Sequence, residues 1–189
     1  MSEATGWLLD VYADMDDGVI LWLLTDDGNR LRLRMDFPIT FYAAGDFTLL
    51  RQAWIFLKDQ DVQLARTIRR DLFLGERDVM SMRTSTPAKQ PALFADLARQ
   101  FPSLDYYDSD LPLSLRFIAQ TGTHLLGRCR VKLDGEWVQT LEALNSAWEI
   151  NPAPIPLRIL TLSPDVNPVL GKPKHLRIRY KQHEYKLAL

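Results

Sequence analysis

Short apolar runs separated by Asp- and Gly-rich turns open the chain. "GWLLDVY" (6–12) and "VILWLLT" (19–25) read as strands, joined by the Asp- and Gly-rich "ADMDDG". "TDDGNR" then returns the chain into "LRLRM" (31–35), because Asp-Gly between apolar runs is a strong hairpin signal. In that third strand Arg30, Arg32 and Arg34 fall on one face, with Leu31, Leu33 and Met35 on the other. Such a face is either simply solvated or a stripe that follows phosphates.

The period then changes. "ITFYAA" (39–44) is a strand, and Asp46 is placed to cap a helix running to Lys58, with Leu49, Leu50, Ala53, Trp54, Phe56 and Leu57 as a wide apolar face. Two strands follow, Val62 to Arg69 and Arg77 to Arg83, joined by "DLFLGE". A second helix starts near Pro91 with Leu93, Phe94, Leu97, Ala98 and Phe101 on one face, Pro102 stops it, and "LDYY" closes the series. The order from Ile39 to Tyr107 is β-α-β-β-α-β, which predicts a ferredoxin-like unit. RNA-recognition modules share this topology and stack bases on sheet aromatics. Tyr42 or Phe41 could serve so, but neighbours on a strand point to opposite faces and one of them belongs to the core. "VMSMRT" lacks the glycine-aromatic signature of those modules.

In "DSDLPLSLRFIAQTG" Asp110 suits a helix cap, Pro112 a first turn and Gly122 the position after the helix. Leu111, Leu115 and Ile118 share one face, and Arg116 lies off it. "LLGRCRVKL" and "WVQTLEAL" are strands around a "DGE" turn, and the Pro-rich "NSAWEINPAPIP" is a connector. Leu157 to Leu162 reads as a buried strand that breaks at Ser163-Pro164. "LRIRYKQHEYKLAL" reads as two strands that place Arg177, Arg179 and Lys181 on one face. The expected class is α+β: a β-hairpin meander, the ferredoxin-like unit at about 39–107, and mostly β segments after it. Residues 1–150 form one domain, and 151–189 form a connector and the start of another.

Composition narrows the chemistry. The 189 residues are 47% hydrophobic, enough for a sizeable core, and the net charge of −1 argues against a strongly basic nucleic-acid binder while leaving room for local basic faces. One cysteine, Cys129, allows neither a disulfide framework nor a cysteine zinc site. His124, His175 and His183 lack the spacing of metal ligands. No apolar run approaches the roughly 20 residues a membrane helix needs, and "MSEATGW" has no signal-peptide character. The expected compartment is the cytoplasm.

The run Asp110-Leu111-Pro112-Leu113-Ser114-Leu115-Arg116-Phe117 resembles a pattern, D-I-P-x-x-x-R-Y, near the end of the N-terminal domain of family B DNA polymerases. Three further segments agree in order. "VILWLLTDDGNRLRL" resembles the early hairpin of that family, "ITFYAA" the strand after it, and "PLRILTL" the strand that opens the 3′–5′ exonuclease domain. Some of these segments are most similar to bacterial DNA polymerase II. In the family that exonuclease strand ends in an Asp-x-Glu pair which holds two catalytic metals. The corresponding positions here are Ser163 and Asp165, so the resemblance implies a degenerate exonuclease strand, because a serine cannot supply the charge a hard cation wants.

The resemblance implies an N-terminal portion of a family B polymerase-like protein, nucleoid-associated, with no complete active site in these residues. It would help handle single-stranded template DNA and brace downstream exonuclease and palm domains. No metal or cofactor is expected for this chain, and Mg²⁺ is expected for a full-length parent. "FPITFYAAG" departs from the archaeal form that carries a Pro-Tyr pair at a pocket for deaminated bases, which leaves uracil sensing unsupported. The candidate DNA contacts are Arg30, Arg32 and Arg34, the group Arg66, Arg69 and Arg70, and Tyr42. Asp110, Pro112, Arg116 and Phe117 are structural by the motif, with the planar fork of Arg116 suited to clamping a carboxylate or backbone carbonyls. The alternatives are a scaffold without DNA contact and a stand-alone nucleic-acid-binding module. An apolar final strand leaves an edge through which two copies could pair.

Overall fold

The computed structural model describes residues 1–189, which divide into two units, Met1–Pro152 and Ala153–Leu189. The opening strands β1 (Ser2–Ala13), β2 (Val19–Thr25) and β3 (Arg30–Met35) pair as successive antiparallel hairpins. They are not a free-standing meander. β8 (Arg128–Asp134) and β9 (Trp137–Ala143) join them in a closed barrel ordered β1-β2-β3-β9-β8. Closure comes from β1 pairing with β8 and from a parallel bridge, Arg34 to Trp137, between β3 and β9. These partners lie about a hundred residues apart in sequence, so period-two patterning at either end could not announce the closure.

Inward side chains of all five strands fill the barrel, among them Leu8, Leu21, Leu33, Val131 and Val138. Gly6 is paired on both sides, with Thr25 of β2 and Cys129 of β8. A Cβ there would run into the Leu24 carbonyl, which explains the glycine in mid-strand. The core lines one end of α3 (Leu113–Thr121), whose Phe117 is fully buried with its ring centroid 5.2 Å from that of Phe37.

Between β3 and α3 run β4 (Ile39–Ala44), α1 (Phe47–Leu57), β5 (Gln63–Asp71), β6 (Gly75–Thr84), a 3₁₀ turn at Pro87–Lys89, α2 (Gln90–Gln100) and β7 (Asp105–Tyr107). The strands form one antiparallel sheet ordered β5-β6-β4-β7. Both helices lie on one face of it. Phe41 and Ala43 of β4, Met80 and Met82 of β6, Ala53 and Leu57 of α1, and Leu97 of α2 share a single core. Asp46 caps α1 by accepting hydrogen bonds from the Thr48 and Leu49 amides at 2.8 and 3.3 Å. The apolar face of α1 is narrower than its sequence suggests, because Trp54 and Phe56 stay partly exposed.

The structure departs from the sequence expectations at α3 and in the second unit. The N-cap of α3 is Pro112 and not Asp110, with no side-chain capping bond. Its inward face carries Leu113, Arg116 and Phe117, at i, i+3 and i+4, while Leu111 and Leu115 are exposed. A face drawn through apolar residues alone missed this because the arginine is buried. The supposed buried strand at 157–162 is β10 (Leu160–Pro164), which continues through Ser163-Pro164 and is exposed along most of its length. With β11 (His175–Tyr180) and β12 (His183–Ala188) it makes a three-stranded sheet ordered β10-β11-β12. Within this unit the three strands are the only helix or strand elements, so it has no second layer of its own to cover an apolar face.

Candidate nucleic-acid interface

The arginines proposed from sequence have different fates. Arg30 and Arg32 are exposed on β3 and make no ion pair. Arg34 is committed to the barrel. Its Nε donates to Asp14 Oδ2 at 2.7 Å, its Nη2 to Asp16 Oδ2 at 3.2 Å, and its guanidinium lies 5.4 Å from the Trp137 ring centroid. Desolvation raises the Asp14 carboxyl, but the hydrogen bond from Arg34 and those from nearby backbone outweigh it and hold the group below its ordinary value. Arg34 therefore locks the β1–β2 turn to the seam of the barrel. Arg66 is likewise neutralised, by a two-pronged pair with Asp78 at 3.1 and 2.8 Å.

Arg69 and Tyr42 come together on the sheet face opposite the helices. The guanidinium lies 5.1 Å from the Tyr42 ring centroid, and Nη2 donates to Tyr42 Oη at 3.0 Å. Tyr107 stands directly across the β4–β7 pair from Tyr42. Arg77 Nη1 donates to Tyr107 Oη at 2.6 Å and to Asp105 Oδ2 at 2.9 Å. These two tyrosine-arginine pairs, with Arg70 and Asp71, line a hollow of about 190 Å³. Phe41 points the other way and is fully buried. Sequence reasoning missed Tyr107 and Arg77. Their signal was the pairing of "LDYY" with "ITFYAA", which appears only once the strand order is known. Arg70 makes no ion pair and is exposed.

The family-like motif lines a larger cleft of about 700 Å³ shared by Tyr12, Gln90, Phe94, Asp110, Pro112 and Arg116. Arg116 is only 7% exposed. Its Nε donates to the Leu111 carbonyl at 3.2 Å and its Nη1 to the Thr40 carbonyl of β4 at 2.9 Å, while Nη2 is buried without a partner in the chain. Burial lowers the pKa of this guanidinium, against the pull of Asp108, Asp110 and Tyr42. Its neighbour Phe117 reaches into the barrel. Two consecutive residues of α3 thus tie the barrel to the sheet.

In the second unit, Ser163 is in register with Arg177 across β10 and β11. The Asp165 carboxylate accepts from the Lys174 amide at 3.1 Å and lies 3.2 Å from His175 Nδ1. It is occupied in holding its own loop. No group of three or more His, Cys, Asp or Glu side chains gathers at metal-holding spacing. A neutral serine and a carboxylate with both oxygens already engaged do not fit a catalytic divalent cation.

No protein-family model matches the chain, and no curated protein matches it. Among solved structures it is similar to the family B DNA polymerase of the hyperthermophilic archaeon Pyrobaculum calidifontis, at a TM-score of 0.62 and 17% identity. The match covers 97% of this chain and 26% of that one, so the chain spans about a quarter of the polymerase's length. At that identity the likeness establishes a shared fold. No helix is long and apolar enough to cross a membrane.

Proposed function

We propose that the chain acts as the N-terminal portion of a family B DNA polymerase-like protein, with segments most similar to bacterial DNA polymerase II. It contacts single-stranded template DNA weakly and braces the exonuclease and palm domains of a cytoplasmic, nucleoid-associated parent that uses Mg²⁺. The unit at 39–107 is read as ferredoxin-like. The observation that carries the proposal is the fold match, which extends over nearly the whole chain. DNA contact falls to the cations left unpaired, Arg30 and Arg32 on the barrel and Arg69 and Arg70 on β5, with Tyr42 offering a ring to a base once Arg69 swings aside.

A second reading, a scaffold without DNA contact, is favoured by how many arginines are already spent. Arg34, Arg66, Arg77, Arg128 and Arg130 all hold carboxylates. The two readings separate in a binding experiment. With a labelled oligo-dT, the chain should show a Kd in the range of roughly 10⁻⁴ to 10⁻⁶ M that non-specific electrostatics gives. Changing Arg30, Arg32, Arg69 and Arg70 together to Gln should weaken binding and flatten its salt dependence, because fewer counterions are released. No binding at low salt, or a quadruple variant identical to the parent, supports the scaffold.

Proofreading activity should be absent. Incubated with 5′-labelled single-stranded DNA and Mg²⁺ or Mn²⁺, the chain should leave the label at full length. Shortening that survives purification and is lost in Asp165→Ala would overturn the degenerate-exonuclease reading.

A further inference from the structure

We infer that the groove between α1 and the edge strand β5 is a docking site for an extended acidic peptide with one large apolar or aromatic side chain. β5 is the outermost strand of its sheet and pairs only with β6, so one side of its backbone is open to another strand. Beside it, over the sheet, lies a cavity of about 620 Å³ whose wall is the α1 stripe Phe47, Leu50, Arg51 and Trp54, at i, i+3, i+4 and i+7. Met80 supplies more apolar surface, and the Arg66–Asp78 pair stands at the β5 side. Phe47 is 72% exposed and Trp54 39%, large apolar surface beyond what the core uses. An open edge next to an apolar hollow is what strand addition needs. Main-chain hydrogen bonds supply affinity, and alternate side chains of the added strand reach the hollow.

Charge selects the occupant. Asp78 is taken by Arg66, and Asp46 is taken by the α1 amides it caps. Arg51 on the α1 wall has no ion pair, so the uncompensated charge lining the hollow is positive. A second copy would bring another Arg69 and Arg70, neither of them in an ion pair, to the same edge, and like charges facing each other across strands are destabilising. An acidic chain meets no such repulsion. A nucleic acid shares the charge but has no backbone amides or carbonyls to complete the edge of β5.

The test is a selection of random dodecapeptides against the immobilised full chain, followed by anisotropy with the enriched peptides. Enriched sequences should carry Asp or Glu around one Phe, Trp, Leu or Ile. Trp54→Ala should weaken them at least fivefold, and Arg51→Glu at least tenfold, both with an unchanged circular dichroism spectrum. A proline placed in the middle of the peptide should abolish binding, since it interrupts the ladder. No enrichment, enrichment without acidic bias, or equal binding to both variants overturns the inference. Displacement of the peptides by oligo-dT that depends on Trp54 and Arg51 overturns it in favour of a nucleic-acid surface.

Discussion

Phe117→Ala should lower the unfolding free energy of the first unit by about 3–5 kcal/mol, the cost of emptying a fully buried aromatic site. Phe117 has no exposed surface and packs on Phe37 amid Leu33, Val131 and Val138. The barrel is closed by backbone pairing on every side, so its wall cannot collapse far into the void. Small domains have only about 5–15 kcal/mol in total, so a loss of this size should be plain in a urea titration as a lower midpoint. Leu115→Ala, two residues away but half exposed, should stay within about 0.5 kcal/mol. Equal effects at the two positions would mean that α3 does not sit with Phe117 inward.

Arg116→Met should cost about 2–4 kcal/mol. The substitution keeps much of the stem but deserts the Thr40 and Leu111 carbonyls, and a buried acceptor left unsatisfied costs about 1–3 kcal/mol. Against this stands the expense of burying a guanidinium, which also depresses its pKa. The two terms decide the role of the motif. A clear loss makes Arg116 a strut between α3 and β4. A neutral or stabilising result would mean that the cost of burying the guanidinium offsets its two hydrogen bonds, so that Arg116 is not a net strut.

The parts of this molecule that could be read from sequence are those governed by near neighbours. The Asp-Gly turns, the Asp46 cap, the alternation of β3 and the order of elements from Ile39 to Tyr107 all depend on residues within a few positions of each other. What sequence could not supply depends on pairing across long separations. Barrel closure by β8 and β9 is one case. Another is the fate of Arg34, which looks identical to Arg30 and Arg32 until the turn carrying Asp14 and Asp16 folds beside it. Arg116 is a third, because a polar side chain on a short helix counts as solvent-facing until the carbonyls that satisfy it are known. The strand at 160–164 misled for the opposite reason, since apolar composition predicts burial only when another layer is there to provide it, and its own unit has none.

The proposed contact with DNA can be checked by titrating the ¹⁵N-labelled full chain with oligo-dT at low salt and following each backbone amide. Such a contact should give fast-exchange shifts at Arg30 to Arg32 of β3 and around Tyr42, Arg69 and Arg70, all fading as salt is raised. Unshifted spectra at saturating DNA, or shifts confined to residues 153–189, would contradict it.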